Sequence, residues 1–421
     1  MITILQAENI SMEQVLARSA PLNDVREKVE SILQDVRENG DEALKKYNAL
    51  FDNARPETLE VTKDQWEQTL QQADPKLMDI MQEAADNIRQ FHEKQRREGF
   101  EIKKPDGTVV GQRVHAVKRA GLYTPGGTAA YYSSVLMNGI PAKVAGVEEI
   151  IMVTPAKDGI IHPDILAAAT IAGVDRVFMV GGAQAIGALA YGTKSIPRVD
   201  RIVGPGNAYV AEAKRQVYGI CGIDMIAGPS EILIVADEHN DARVLAADML
   251  SQAEHDQDAA AVLVTNSMDL ALQVQQELER QIPLLPRAVM ARASIDNNGR
   301  IIVTKDILSA VDISNAWAPE HLELCVEDPF SWLDKIDNAG SIFLGRSTPE
   351  AVGDYWAGTN HTLPTSGTAR FSSPLSVEDF LKVSQYIYYP KEATARAADK
   401  IAYFAGKEGL QAHALSALIR K

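Results

Sequence analysis

From Asn23 to Gly40 the run NDVREKVESILQDVRENG sets apolar residues at helical spacing and closes on a glycine, which accepts the left-handed turn that ends many helices. From Asp74 to Gly99, DPKLMDIMQEAADNIRQFHEKQRREG repeats the pattern and carries basic residues in its last turn, where they offset the helix dipole. The N-terminal region is therefore expected to be helical. His92 lies on the second of these helices in a structural or solvated role, and nothing in the region suggests chemistry.

Near residue 109 the pattern changes. The β-branched runs EEIIMVTP, DRVFMVGG, DRIVGPGN and SEILIVAD alternate with the helical stretches HPDILAAATIAGV, AQAIGALAYG and AYVAEAKRQVYG. Such alternation predicts a parallel sheet covered on both faces. A second series follows, AAAVLVTN, RIIVTK, HLELCVED and GSIFLGR, again with helices between. The predicted fold class is α/β: two Rossmann-like parallel-sheet units with N-terminal helices and a helical C-terminal tail. No sequence repeat relates the two units. In the tail, SVEDFLKVSQYIYY and KEATARAADKIAYFAGKEGLQAHALSALIRK both read as helical, and the second carries Glu408 and His413. Polar residues on a small terminal helical unit suit docking on another surface, such as a partner subunit. The expected boundaries are 1–122 for the helical region leading into the first α/β unit, 123–231 for that unit, 232–375 for the second and 376–421 for the tail.

Composition narrows the class without naming it. The 421 residues, 46% hydrophobic and 24% charged, are ordinary for a globular protein of two or three domains. A net charge of −15 argues against a nucleic-acid partner, which needs a basic surface. Two cysteines far apart in sequence, Cys221 and Cys325, fit a reducing compartment and exclude a cysteine-rich zinc knuckle. The start MITILQAENISMEQ has no basic region and no long apolar core, and no apolar run approaches the roughly 20 residues of a membrane span. A cytoplasmic protein with no membrane partner is expected.

Two glycine-rich turns follow predicted strands: Gly181-Gly182-Ala183-Gln184 and Gly204-Pro205-Gly206-Asn207. Glycine there lets backbone N–H groups approach a phosphate at a helix N-terminus. Neither turn matches G-x-G-x-x-G, and each alone is equally a ligand-free βα turn; as a pair after consecutive strands they favour a ligand. A third turn, Tyr123-Thr124-Pro125-Gly126-Gly127, offers a tyrosine for stacking or for packing. Gln252 and His255 sit three apart at the end of ARVLAADMLSQAEHD, on one helix face; both residue types ligate zinc, and both are also common on a solvated helix. Glu320 and His321 precede a strand and give two adjacent bases, one of which titrates near neutral pH. Asp354 and His361 fall in GDYWAGTNH, whose glycines predict a loop.

Taken in order, GGAQAIGALAYGT, VGPGN, AGPSE, AEHD, APEHLEL and the C-terminal pattern EGLxAHxxSxxxR resemble the histidinol dehydrogenase family, over nearly the whole span from Tyr123 to His413. The resemblance implies a zinc-containing, NAD-dependent enzyme that oxidises L-histidinol through L-histidinal to L-histidine with two NAD. Zinc ligands then fall on Gln252, His255, Asp354 and His413, with the substrate's imidazole and amine completing the shell. Glu320 and His321 become the catalytic pair. Ser230, His361 and Glu408 join the ligands and His321 as substrate contacts, and Tyr123, Gln184 and Asn207 become NAD contacts. The family further implies a homodimer with exchanged tails, so that Glu408 and His413 complete the other subunit's site. His321 is then the base that takes the alcohol proton, and Glu320 activates the water that hydrates the aldehyde. Three rivals stand beside this reading: a relative oxidising a sulfonated diol, which would call for an extra Arg or Lys near the metal; a zinc hydrolase, which would have no use for the glycine turns; and a non-catalytic binding protein, which would leave the ordered polar residues without a purpose.

Overall fold

The computed structural model describes residues 1–18, 25–126 and 131–421. Asn23 and Asp24 of the first predicted helix and Gly127 of the third glycine turn lie outside the described residues. The strands are β1 (Thr3–Gln6), β2 (Phe100–Lys103), β3 (Val109–Ala116), β4 (Arg119–Tyr123), β5 (Glu149–Thr154), β6 (Arg176–Met179), β7 (Arg201–Val203), β8 (Gly222–Ile223), β9 (Glu231–Ala236), β10 (Ala260–Thr265), β11 (Arg300–Val303), β12 (His321–Cys325), β13 (Ser341–Leu344) and β14 (Leu381–Tyr388). The chain divides into two compact units, Met1–Gln95 with Lys118–Phe380, and Arg96–Val117 with Leu381–Lys421.

The larger unit holds both parallel sheets. One runs β6-β5-β4-β7-β8 and the other β1-β11-β10-β9-β12-β13. The apolar runs became strands because helices cover both sheet faces: every residue of β9 and β10 is buried. One face of the six-stranded sheet packs on the helix Ala242–Ala253 through Leu245, Met249 and Leu250, the other on Ile307–Trp317 through Ile313 and Trp317. Burying each such large side chain contributes about 1.5–3 kcal/mol. No helix among the described residues is long and apolar enough to cross a membrane.

In the five-stranded sheet β5 and β6 extend to one side of β4 while β7 and β8 extend to the other, and SEILIVAD, read with the first series, belongs to the second sheet as β9. β9 is placed likewise between β10 and β12. The crevice beyond the carboxyl ends of such a central pair is where open α/β sheets bind ligands. Beyond β4 and β7 lie Tyr123 and the Gly204 turn. Beyond β9 and β12 side chains bridge the two strand ends. Asp237 receives Arg346 Nη2 on both carboxylate oxygens, at 2.7 and 2.6 Å, and Asn240 Nδ2 donates to Cys325 O at 2.7 Å.

The smaller unit is an antiparallel sheet, β14-β3-β2, with the helices Lys391–Lys407 and Gln411–Leu418. The tail's last elements are helical as expected, but its first segment is not. LKVSQYIY pairs with β3 along its length, from Leu381 opposite Ala116 to Tyr388 opposite Val109. Its β-branched and aromatic content suits a strand, and the apolar positions alone do not separate the two periods over so short a run. Five further strands escaped the sequence pattern: β1, which adds an edge beside β11; β2 and β3, an antiparallel pair inside the region expected to be helical; β4, whose RAGLY is too short and too rich in small residues to announce a strand; and the two-residue β8.

Candidate active site and cofactor crevice

The helix Ile307–Trp317 ends at Ala318 in a left-handed conformation, φ 52°, and Pro319 and Glu320 then lead directly into β12. β12 lies beside β9 with His321 opposite Ile232, so the amino end of β9 faces the pair. One residue anchors both side chains there. Glu231 N–H donates to Glu320 Oε2 at 2.8 Å, and Glu231 C=O lies 3.0 Å from His321 Nδ1. A carbonyl can only accept, so Nδ1 carries a proton, and Nε2 is the nitrogen that exchanges one with its surroundings. Nε2 has no hydrogen-bond partner; it faces Glu350 Oε1 at 3.7 Å and Asp354 Oδ1 at 3.8 Å. The alternation rule would turn Glu320 and His321 to opposite sides, yet the carboxylate lies 3.8 Å from the ring. Glu320 precedes the strand, so its side chain is free of the strand's alternation.

The electrostatics follow from burial and these carboxylates. Burial pushes the Glu320 carboxyl up to about 8, partly offset by the His321 charge. Burial also works against the His321 imidazolium, but Glu350, Glu320 and Asp354 outweigh it and hold its pKa well above the usual range. Glu350 is raised to about 7 by burial, and Glu323 behind it to about 9 by burial and the neighbouring Asp248. Asp354 is lowered: burial opposes its charge, but His321, His361 and His255 more than compensate.

Gln252 lies in the last turn of Ala242–Ala253 and His255 just beyond its end. Asp354 lies on a short helix, Glu350–Tyr355, where a loop was expected; the loop begins only afterwards. Gly353 is tolerated in that helix because it packs against Phe343, whose ring a Cβ would approach to 2.6 Å. Gly358, at φ 89°, lies so close to Asn87 that a Cβ would stand 2.4 Å from its carbonyl oxygen. His361 is partly buried with Nε2 3.3 Å from Ser134 Oγ, and Ser230 sits half-buried immediately before Glu231.

His255, Glu350 and Asp354 offer ligand atoms that all lie within 4.8 Å of one another. A neutral imidazole with carboxylate oxygens suits a divalent cation such as zinc. Gln252 is buried beside them. With its NH₂ toward Glu350, at 2.5 and 3.1 Å, its oxygen accepts from Glu231 N–H at 3.0 Å. To ligate a metal that oxygen would turn toward the Glu350 carboxylate, a contact that is favourable only with a cation between them. Glu408 and His413 belong to the smaller unit, where both are exposed.

At the other crevice Gly204 has φ 114°, and a Cβ there would stand 2.2 Å from Tyr123 O. Only glycine fits so close to a neighbouring backbone. Tyr123 is buried, and its hydroxyl accepts from Gly182 N–H at 3.1 Å, which ties the third glycine turn to the first. Gln184 is buried as well, with Oε1 lacking a partner. Asn207 is exposed and caps the helix Ala208–Val217 through Tyr209 N and Val210 N. Beneath the Gly204 turn Lys214 and Asp224 form an ion pair whose side chains are 2% and 1% exposed. Lys214 Nζ donates to Gly204 O at 3.0 Å, and Asp224 Oδ2 accepts from Gly204 N–H at 2.8 Å.

Sequence reasoning missed Glu231, Glu350, Lys214 and Asp224. Glu350 left one signal, a spacing of four from Asp354, which puts two carboxylates on one helix face. Glu231 stood beside Ser230 in AGPSE.

Two parallel-sheet units and a buried Glu–His pair beside a cluster that could hold a metal ion suit an oxidoreductase of the dehydrogenase class. The family model for histidinol dehydrogenase matches residues 17–421. The chain belongs to the histidinol dehydrogenase family. It is 50% identical to a histidinol dehydrogenase of Bacillus cereus over 98% of this chain and 97% of that one. It is 49% identical to that of Streptococcus mutans, over 98% and 96%. A crystal structure of histidinol dehydrogenase from Elizabethkingia anophelis superposes with a TM-score of 0.94 at 35% identity, covering 100% of this chain and 98% of that one.

Proposed function

We propose that this chain is a cytoplasmic histidinol dehydrogenase that oxidises L-histidinol through L-histidinal to L-histidine with two NAD, closing histidine biosynthesis. One observation carries the reading: His321 is anchored through Nδ1 on the Glu231 carbonyl, with a buried, unpartnered Nε2 facing Glu350 and Asp354 where substrate would be held.

His321 Nε2 takes the hydroxyl proton as the carbinol carbon gives a hydride to the first NAD. Glu320 assists addition of water across the aldehyde carbonyl. The hydrate then loses a proton to His321 and a hydride to the second NAD, so that one alcohol and one water yield a carboxylate, two NADH and three protons. Gln252, His255 and Asp354, with His413, would hold the zinc, and Glu350 is a further donor to it. Bound there, the metal supplies a fixed point that orients the substrate's nitrogen atoms. Ser230, His361 and Glu408 would contact the substrate, and Tyr123, Gln184 and Asn207 would line the NAD crevice, the buried first two by shaping the turns. The tail would act across a homodimer. Exposed Tyr403, Phe404, Leu415 and Ile419 on its helices support docking on a partner subunit.

A single spectrophotometric experiment tests these elements together. The parent protein should form two NADH per histidinol consumed and none from a sulfonated diol. Chelation should remove metal and activity together, and His255→Ala should bind little metal. Mixing inactive His321→Ala and His413→Ala subunits should restore part of the activity, because one site of each hybrid dimer draws both intact residues. One NADH per substrate, full turnover in metal-free protein, or no recovery after proven subunit exchange would refute the corresponding part.

A further inference from the structure

The catalytic pair is held through the main chain of Glu231, and the side chain of Glu231 is held in turn by an arginine distant in sequence. The Glu231 carboxylate is 5% exposed. Arg18 grips it with two bonds, Nε to Oε1 at 2.6 Å and Nη2 to Oε2 at 3.1 Å. The same Nη2 donates to Trp317 O at 2.7 Å, and the guanidinium lies 4.4 Å above the Trp317 ring. Trp317 is the last residue of the helix that delivers Glu320 and His321. Arg18 thus ties together the two backbone segments that meet at the pair: the start of β9, which anchors both side chains, and the helix end from which they emerge. A fork with planar, fixed donors can do this; a lysine cannot make the same paired contact.

We propose that Arg18 is a positioning residue for the reaction: by fixing Glu231 it keeps the peptide of Glu231 aligned with Glu320 and holds His321 in its Nδ1–H tautomer. The proposal rests on the reading of Glu320 and His321 as the catalytic pair. Without Arg18 the buried carboxylate has lost its cation and its fixed position, and the peptide that anchors both side chains shifts with it. Loss of an outer-shell group that orients a metal ligand typically lowers activity by about 10–100-fold, and a loss of that order is expected for a group that orients the catalytic pair in the same indirect way.

The test compares the parent with R18K, R18M and R18M/E231Q under steady-state conditions, with metal content and thermal melting measured alongside. R18M should lower kcat by about 10–100-fold while KM for NAD and metal content stay near the parent values. R18K, which keeps the charge and loses the fork, should fall between the two. Removing the stranded charge in R18M/E231Q should restore part of the lost kcat, which a general loss of folding would not allow. Parent-like kcat in R18M, or a double variant no better than the single, would overturn the proposal. If R18M does not fold, R18K decides: reduced kcat at unchanged melting supports it, and parent-like kcat refutes it. The ¹⁵N shifts of the His321 ring give a readout that needs no turnover. A parent showing one Nδ1–H tautomer and an R18K or R18M ring showing a mixture supports the role; identical spectra refute it. A parent that forms no NADH from histidinol but shows the tautomer change would sink the activity reading alone.

Discussion

Replacing His321 with asparagine should slow NADH formation from histidinol and from histidinal alike, by about 10²–10⁴-fold, or about 3–5 kcal/mol of barrier. On the proposed reaction both half-reactions release a proton at the carbon that loses hydride, and Nε2 of His321 has no hydrogen-bond partner in the site. Replacing Glu320 with glutamine should act unequally. Hydration is needed only once the aldehyde exists, so oxidation of added histidinal should suffer more than the first hydride transfer. The two groups lie 3.8 Å apart, so the division rests on when each proton moves and not on opposite faces of a strand. Single-turnover NADH formation from each substrate measures it, and equal losses for Glu320→Gln would make the pair one coupled base. The pH dependence has a definite sign. His321 must be neutral to accept a proton, and its pKa is raised, so alcohol oxidation should climb as pH rises and the imidazolium is lost. Glu320 reaches its base form as pH passes about 8.

Lys214→Met is the variant expected to cost the most stability. It strands Asp224 as an unpaired charge with 1% of its side chain exposed. Breaking a buried pair from one side costs about 3–5 kcal/mol, most of it the penalty of the charge left behind. Urea unfolding should show this loss, and K214M/D224N, which leaves no charge, should regain part of it. The Gly204 turn loses its Lys214 bond in the same variant, so KM for NAD should rise while metal content is unchanged. Parent-like stability for Lys214→Met would mean that Asp224 reaches water or another cation.

The sequence pattern revealed the fold wherever burial is two-sided. EILIVA and AAVLVT are continuous apolar runs because helices cover both of their faces, and that cause leaves a clear signal. The strands that escaped are those lacking it: β1 at an edge, β4 with its alanine and glycine, the two-residue β8, and the antiparallel β2, β3 and β14, which are mostly exposed or half-buried. The site divides in the same way. Glu320, His321, Gln252 and His255 were legible as adjacent or helically spaced groups of suitable chemistry. Glu231, Glu350 and Arg18 read as ordinary charged residues, because what gives them their roles is burial and a partner distant along the chain. Tyr123 offered stacking or packing; its buried hydroxyl on Gly182 gives it a place in the scaffold of the turns.

On the proposed reaction two oxidations share one enzyme, and Arg346, Asp237 and Asn240, which bridge the ends of β9 and β12, bear on how. The two sheets have like strand arrangements, yet at the second an ion pair, Arg346 with Asp237, ties down the carboxyl end of the central strand. On the proposed reaction, both hydrides then leave through a single berth. The first NADH must depart and a fresh NAD arrive while the carbon is half oxidised. The aldehyde must wait out that exchange at the amino ends of β9 and β12, held by groups that are not part of the nucleotide crevice. An external aldehyde trap such as hydroxylamine should therefore capture little histidinal during turnover, and heavy capture would mean that the intermediate escapes between steps. With one berth for two oxidations, the proposed second step would depend on how firmly the protein keeps the product of its first.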